Sequence, residues 1–256
     1  MADEIVDKAA VGLSGRQYHV GVASGEISDV VLMPGDPFRV ELIAERLTNV
    51  TEVAHKREYR TVNGFYKGRL VTACSSGMGC PSTAIGVEEL ARAGARTFVR
   101  VGSTASLQPS IAVGDLVVSH GSLRNDGTTA AYVPPGYPAV PDFELTLMLE
   151  EVGRELGARE GFAVHGGINA TDDAFYAETP EWIERLSSLG IANVEMESSA
   201  LFVVASLRGL RAAMICAVSG NLVTGDVVYG AENPRLHEGW GHSIDVALEA
   251  VHRLRA

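Results

Sequence analysis

Short apolar runs rich in Val and Ile alternate along the chain with segments whose apolar positions recur at helical spacing. That order predicts a mainly parallel sheet covered by helices. Val30–Met33 is predicted as a buried strand, followed by Pro34-Gly35-Asp36-Pro37 and a helix to about Leu47. Glu58–Thr61 and Phe65–Tyr66 are predicted to pair as a hairpin around Asn63-Gly64, a strong turn dipeptide. Leu70–Ser75 is the next strand and ends in Ser76-Gly77-Met78-Gly79. A helix follows from about Pro81 to Ala93, with proline at its start and Gly94 just past its end.

Further strands are predicted at Thr97–Val101, Leu116–Ser119, Ala163–Asn169 and Ala212–Val218. Further helices are predicted at Phe143–Leu156, Glu181–Leu189, Ser198–Arg208 and from about Asn233 to Leu254. Gly121 to Val140, with its three prolines and three glycines, reads as a long functional loop, and Ser219–Tyr229 as another. No repeat, linker or low-complexity tract interrupts this order, so residues 1–256 read as one α/β domain.

Charge narrows the functional classes. A net charge of −11 argues against a general nucleic-acid binder, whose affinity comes from Lys and Arg neutralising phosphates. It leaves room for a small anionic ligand, which a few arginines can hold locally. Cys74, Cys80 and Cys216 form no CxxC pair and no metal-ligand spacing with histidine, so they read as reduced, buried thiols. The longest apolar runs are too short to span a bilayer, and no basic-then-apolar leader opens the chain. The expectation is a cytoplasmic protein.

Three stretches carry candidate chemistry. Pro34-Gly35-Asp36-Pro37 joins a strand to a helix, where glycine lets backbone N–H groups approach an anion and Arg39 adds a fork of donors. The same stretch also fits an ordinary turn followed by a solvated arginine. Ser76-Gly77-Met78-Gly79 partly mimics a dinucleotide fingerprint, but no acidic residue ends the next strand, as ribose recognition there would require. That strand runs Arg100-Val101-Gly102-Ser103-Thr104, which suits a phosphate better. Arg100 within an apolar strand needs an anionic partner if buried, and none if it points outward. Glu195-Met196-Glu197 precedes a helix; alternation aims both carboxylates to one side, either toward sugar hydroxyls or as acids favoured at a helix N-terminus.

Taken together and in this order, these stretches resemble the nucleoside phosphorylase family that includes uridine phosphorylase and hexameric purine nucleoside phosphorylase. The resemblance covers nearly the whole chain. It is carried by Tyr18-His19-Val20-Gly21, Met33-Pro34-Gly35-Asp36-Pro37-Phe38-Arg39, His55-Lys56-Arg57-Glu58-Tyr59, Gly77-Met78-Gly79-Cys80-Pro81-Ser82, Phe98-Val99-Arg100-Val101-Gly102-Ser103 and Val194-Glu195-Met196-Glu197-Ser198. His19 and the Pro138–Phe143 run make it most similar to the uridine branch.

The resemblance implies a mixed central sheet, partly barrel-like and flanked by helices, and phosphate-dependent cleavage of a ribonucleoside. It implies phosphate binding by Gly35, Arg39, Arg100 and Ser103, with Arg57 added from a neighbouring subunit. Met196 and Glu197 would hold the ribose, with His19 of the neighbour on its 5′-hydroxyl, and Arg100 and Glu197 would be catalytic. Phe175 would stack on the base. Glu58, the backbone of Met78 and Glu195 match positions able to hold a monovalent cation, potassium, between subunits. No organic cofactor is implied; inorganic phosphate is the co-substrate. The assembly implied is a homo-oligomer, a hexamer built from dimers with shared active sites.

Base recognition departs from both branches. The uridine branch carries a Gln and an Arg shortly after the Phe-Tyr pair, where this chain has Ala177-Glu178-Thr179-Pro180-Glu181. The purine branch has an Asp in a Val-Ser-Asp run, where this chain has Val218-Ser219-Gly220-Asn221, leaving Ser219, Asn221 or Asp226 as candidates to touch the base. Uridine is the leading substrate and purine nucleosides come next. A phosphate-independent nucleosidase and a non-catalytic ligand sensor on the same fold are the rival classes.

Overall fold

The computed structural model describes residues 15–227 and 233–254, and ten strands among them form a single sheet. The strands are β1 (Val30–Met33), β2 (Thr48–Lys56), β3 (Tyr59–Tyr66), β4 (Arg69–Cys74), β5 (Thr97–Ser106), β6 (Leu116–Asn125), β7 (Val164–Asp172), β8 (Asn193–Glu195), β9 (Arg211–Asn221) and β10 (Asp226–Val227). The helices are α1 (Pro37–Ala44), α2 (Cys80–Ala93), α3 (Thr128–Tyr132), α4 (Phe143–Glu160), α5 (Pro180–Ser188), α6 (Ser198–Leu207) and α7 (Pro234–Arg253). None of them is long and apolar enough to cross a membrane, among the described residues.

Strands β5, β9, β6, β7 and β8 pair in a closed ring, and β1, β4, β3 and β2 extend from it as an arm. The sheet is mixed. β1 pairs in parallel with β4 and β5, as do β5 with β9, β6 with β7 and β7 with β8. The remaining pairings are antiparallel, β8 on β5 and β9 on β6 among them, so the expectation of a mainly parallel sheet is corrected.

Side chains alternate between two cores. Val31 and Met33 of β1 and Phe98 of β5 pack under α2 and α6, while Val30, Leu32, Val99 and Val101 face α1, α4 and α7. Burial on both faces explains why these strands read as continuous apolar runs.

Strand β5 is the hub, and its two halves have different neighbours on one edge. Val30 to Met33 of β1 pair with Thr97 to Arg100, and Val194 and Asn193 of β8 pair with Ala105 and Ser106. Between Arg100 and Ala105 that edge has no partner strand, and β1 and β8 splay apart there. A sheet that divides in this way opens a crevice at its strand ends.

Several local expectations are revised. Asn63-Gly64 is not a turn; it lies within β3, which pairs with both β2 and β4. Asn63 is held by its side chain, which donates to the Glu26 carbonyl and accepts from Thr72. The chain reverses at Arg57-Glu58 and at Lys67-Gly68 instead, the latter with φ of 47° and 82°, the mirror-image geometry that suits a two-residue hairpin. Strand β2 was not anticipated because its polar run Thr48–Lys56 is largely exposed and shows no apolar alternation. β5, β6 and β9 run beyond their apolar centres, and β6 takes up the start of the expected loop at Gly121. The expected loop after Val218 is replaced by the end of β9 and by β10, with Val228 and Tyr229 lying outside the described residues.

A side chain at position 64 would collide with the core, because a Cβ there lies 2.6 Å from Leu47 Cβ. Gly64→Ala is therefore expected to destabilise the fold by about 1–3 kcal/mol, read as a lower urea midpoint at unchanged slope.

Candidate active site

The divided edge of β5 gathers three chain segments around one cleft of about 710 Å³. Parallel register brings Met33, and so the Pro34-Gly35 turn, beside Arg100. The pairing of β1 with β4 carries Ser76-Gly77-Met78 alongside, locked by Ser76 N–H donating to the Pro34 carbonyl at 2.8 Å. The antiparallel contact of β8 delivers Glu195, Met196 and Glu197 from the opposite side. Thr104 Oγ1 fastens that contact by donating to the Val194 carbonyl at 2.6 Å.

Arg100 is the buried centre, with 4% of its surface exposed. Its Nε donates to Glu195 Oε2 at 2.8 Å and its Nη2 pairs with Glu197. Burial alone would lower the guanidinium's pKa, but the carboxylates of Glu197 and Glu195 raise it above the ordinary value. Burial also raises the pKa of Glu197, more than its pairing with Arg100 lowers it. Glu195 has a second task. It accepts the N–H groups of Glu197 and Ser198 and the hydroxyls of Thr171 and Ser198, and so caps the start of α6. The helix-terminus reading of the acidic pair is thus realised by Glu195.

One donor of Arg100 is left over: Nη1 is buried with no hydrogen-bond partner among the described residues. It points toward the Gly35 backbone, where a Cβ would meet Arg39 Nη2 at 3.3 Å and Arg100 Nη1 at 3.9 Å. The two guanidinium groups therefore converge on one spot. Among the described residues no carboxylate pairs with Arg39; burial and the charge of Arg100 hold its pKa below the ordinary value. It lies with Cζ 5.5 Å above the Trp240 ring. Ser103 Oγ accepts from Arg39 Nη1 at 3.3 Å and from Trp240 Nε1 at 2.8 Å, which leaves its own O–H to donate into the cleft. A buried, unpaired guanidinium donor, a second arginine and a free hydroxyl around a glycine turn make a ready anion cradle.

A profile of the phosphorylase superfamily matches residues 29–254. The chain belongs to the phosphorylase superfamily. It is 42% identical over 225 residues to uridine phosphorylase of Thermococcus kodakarensis, an alignment covering 83% of this chain and 80% of that protein. It is equally 42% identical over 211 residues to guanosine phosphorylase of Halorubrum lacusprofundi, covering 82% and 86%. Uridine phosphorylase of Escherichia coli is 36% identical over 253 residues, covering 93% and 97%. The crystal structure of uridine phosphorylase from Vibrio fischeri ES114 superposes with a TM-score of 0.84 at 35% identity, covering 94% of this chain and 98% of that one.

In this superfamily member, Gly35, Arg39, Arg100, Ser103, Met196 and Glu197 all line the cleft, as do Phe175 and Ser219 at its other end. His19 and Arg57 do not. His19 Nδ1 is 2.6 Å from Glu89 Oε1, and Glu89 also accepts the N–H groups of His19 and Val20. Arg57 is exposed at the β2–β3 turn with φ of 54°.

Asn221 is withdrawn as a base contact. Its amide donates to the carbonyls of Gln108 and Ile111, and its Oδ1 accepts from Val223 and Thr224, so both ends of the side chain are consumed in holding a loop. The cation set does not fit either. Glu58 and Met78 line the cleft, but both Glu195 oxygens are filled by Arg100, Asn169, Thr171 and the α6 terminus. Trp240 supports the site through Ser103 and carries no mark of this in the sequence, since nothing in a helical stripe distinguishes an indole N–H that reaches that hydroxyl.

Removing Arg100 would leave Glu195 and Glu197 buried without their cation. Arg100→Ala is expected to cost about 3–5 kcal/mol of stability, measured by urea unfolding. A variant as stable as the parent would contradict the pairing.

Proposed function

We propose that this chain is a nucleoside phosphorylase that uses inorganic phosphate to split the N-glycosidic bond of a ribonucleoside, with uridine as the leading substrate. The observation that carries this reading is the convergence of Arg39 and the unpaired Nη1 of Arg100 on the Gly35 turn, beside Met196 and Glu197 in the same cleft. Water as nucleophile would need no such cations. Uridine leads because relatives named uridine phosphorylase match at 36–42% identity over most of the chain. Guanosine comes next on the strength of the Halorubrum relative.

In the proposed reaction, phosphate sits on Arg39, Arg100, Ser103 and the Gly35 backbone. Ribose lies against Met196 and Glu197, and the base faces Phe175 and Ser219. As the C1′–N bond lengthens the sugar gains positive character. The fixed phosphate stabilises that charge and then bonds to C1′, giving ribose 1-phosphate and free base. Positioning and electrostatics supply the rate.

The site is shared between subunits in this reading. Arg39, Arg100, Glu195 and Glu197 sum to zero charge when ionised, so a dianion gains from a further cation. Arg57 of a neighbouring copy supplies it, and the neighbour's His19 meets the ribose 5′-hydroxyl. We extend the reading to a hexamer, a trimer of dimers, acting in nucleoside salvage in the cytoplasm.

Two measurements test it. Base release from uridine, inosine and guanosine should require phosphate and yield ribose 1-phosphate; undiminished turnover in phosphate-free buffer would establish hydrolysis instead. Arg39→Ala leaves no carboxylate orphaned, so the protein should fold normally while kcat/KM for phosphate falls about 100-fold. An unchanged phosphate KM and kcat would remove Arg39 from the anion site.

A further inference from the structure

The end of the cleft opposite the arginines carries one carboxyl side chain that, among the described residues, no internal contact uses. Glu178 lines it together with Phe175, Tyr176, Ala105, Val194 and Ser219. Ser219 directs its hydroxyl proton to the Thr104 carbonyl at 3.1 Å and so offers the cleft an acceptor only. Glu178 is half-buried, and among the described residues no hydrogen bond or ion pair engages its carboxyl group.

Its position is built rather than incidental. The 3-10 turn Phe175–Ala177 ends directly before it. Thr179 follows and caps α5, its Oγ1 accepting from Trp182 N–H at 3.3 Å, with Pro180 opening the helix. Trp182 and Ile183 pack against the cluster of Leu186, Ile191 and Val194, which anchors α5 to the ring of strands. Two abutting turns and an anchored helix thus fix the backbone on both sides of Glu178.

We infer that Glu178 is the residue that hydrogen-bonds the nucleobase and donates a proton to it as the glycosidic bond breaks. This inference rests on the phosphorylase reading above and names the group that takes over base recognition. A neutral carboxyl presents one O–H donor and one C=O acceptor side by side. That pattern matches a lactam edge, a ring N–H next to a carbonyl, as in uracil, hypoxanthine and guanine. The substrate class is therefore nucleosides of lactam bases.

The balance is simple. The C1′–N electron pair leaves with the base while a phosphate oxygen bonds to C1′. Glu178 gives its proton to the departing base and becomes a carboxylate. The ribose 1-phosphate releases the proton that hydrogen phosphate brought, and Glu178 recovers one from solvent.

The local charges favour a proton on Glu178. Burial, then the negative charge of Asp172 at the end of β7, push its pKa up to about 7. Asp173 is occupied by the Gly127 N–H, and Glu181 on α5 is exposed. Across the cleft Arg100 is matched by Glu195 and Glu197. Asp36, Arg39 and Glu58 also line the cleft. An acid that is neutral below about 7 donates there and loses the ability as pH rises through that value.

The test is the pH profile of uridine and inosine phosphorolysis for the parent, Glu178→Gln and Glu178→Ala. Phosphate ionisation adds a rising limb common to all three. The parent is expected to show, in addition, a fall in kcat/KM above about 7. Glu178→Gln keeps the shape and an N–H donor, has no proton to lose, and should lack that falling limb. Glu178→Ala should lose about 100-fold in kcat/KM for the nucleoside below pH ~7, with the phosphate KM unchanged. A falling limb that persists in Glu178→Gln, or an Ala variant as active as the parent, would overturn the role of Glu178 while leaving phosphorolysis intact. A folded parent that forms no ribose 1-phosphate would overturn both. The near-isosteric Gln variant keeps the test valid even if Ala perturbs folding.

Discussion

A guanidinium held inside a sheet is the constraint on which this molecule is organised. Arg100 stands in the apolar centre of β5, where its charge is tolerable only because two carboxylates meet it. Those carboxylates arrive at the end of β8 and just after it, and β8 can approach only where β1 has ended. Pairing Arg100 and opening the cleft are therefore one structural event. Gly102 belongs to the same arrangement, since a Cβ there would lie 2.8 Å from Cys216 Sγ and 2.9 Å from Arg100 Cζ. The strand gives up a side chain so that the guanidinium can fold back along it.

Much of this was legible in the sequence, for identifiable reasons. An arginine in Thr97-Phe98-Val99-Arg100-Val101 is conspicuous because burial makes charge costly, so a demand for partners could be stated before any were seen. The Glu195-Met196-Glu197 alternation sent both acids the same way, as observed. Long buried strands and capped helices were visible because period and punctuation coincide at β1, α2 and α7.

What escaped notice was fixed by distant contacts. Gly64 resembles a hairpin residue, yet it is glycine because Leu47 presses on β3. The polar strand β2 has no periodicity to detect. Asn221 carries the functional groups of a ligand contact, but its bonds to Gln108 and Ile111 exist only once the loop after β5 folds against β9. Trp240 reaches Ser103 across 137 residues of chain. Spacing along a sequence encodes local geometry well and such closures poorly.

The two ends of the sheet meet solvent differently. Ring closure through β9, β6, β7 and β8 leaves that half with almost no open margin, whereas β2 is the last strand of the arm, with no further strand on its outer edge among the described residues. β2 is irregular, with register breaks between Thr48 and Thr51 and between Glu52 and Ala54, and it carries Glu52 and Lys56. Such a rim is a poor template for continuous strand addition. Another chain that covers it must do so through side-chain complementarity, which keeps association selective and discourages runaway cross-β stacking.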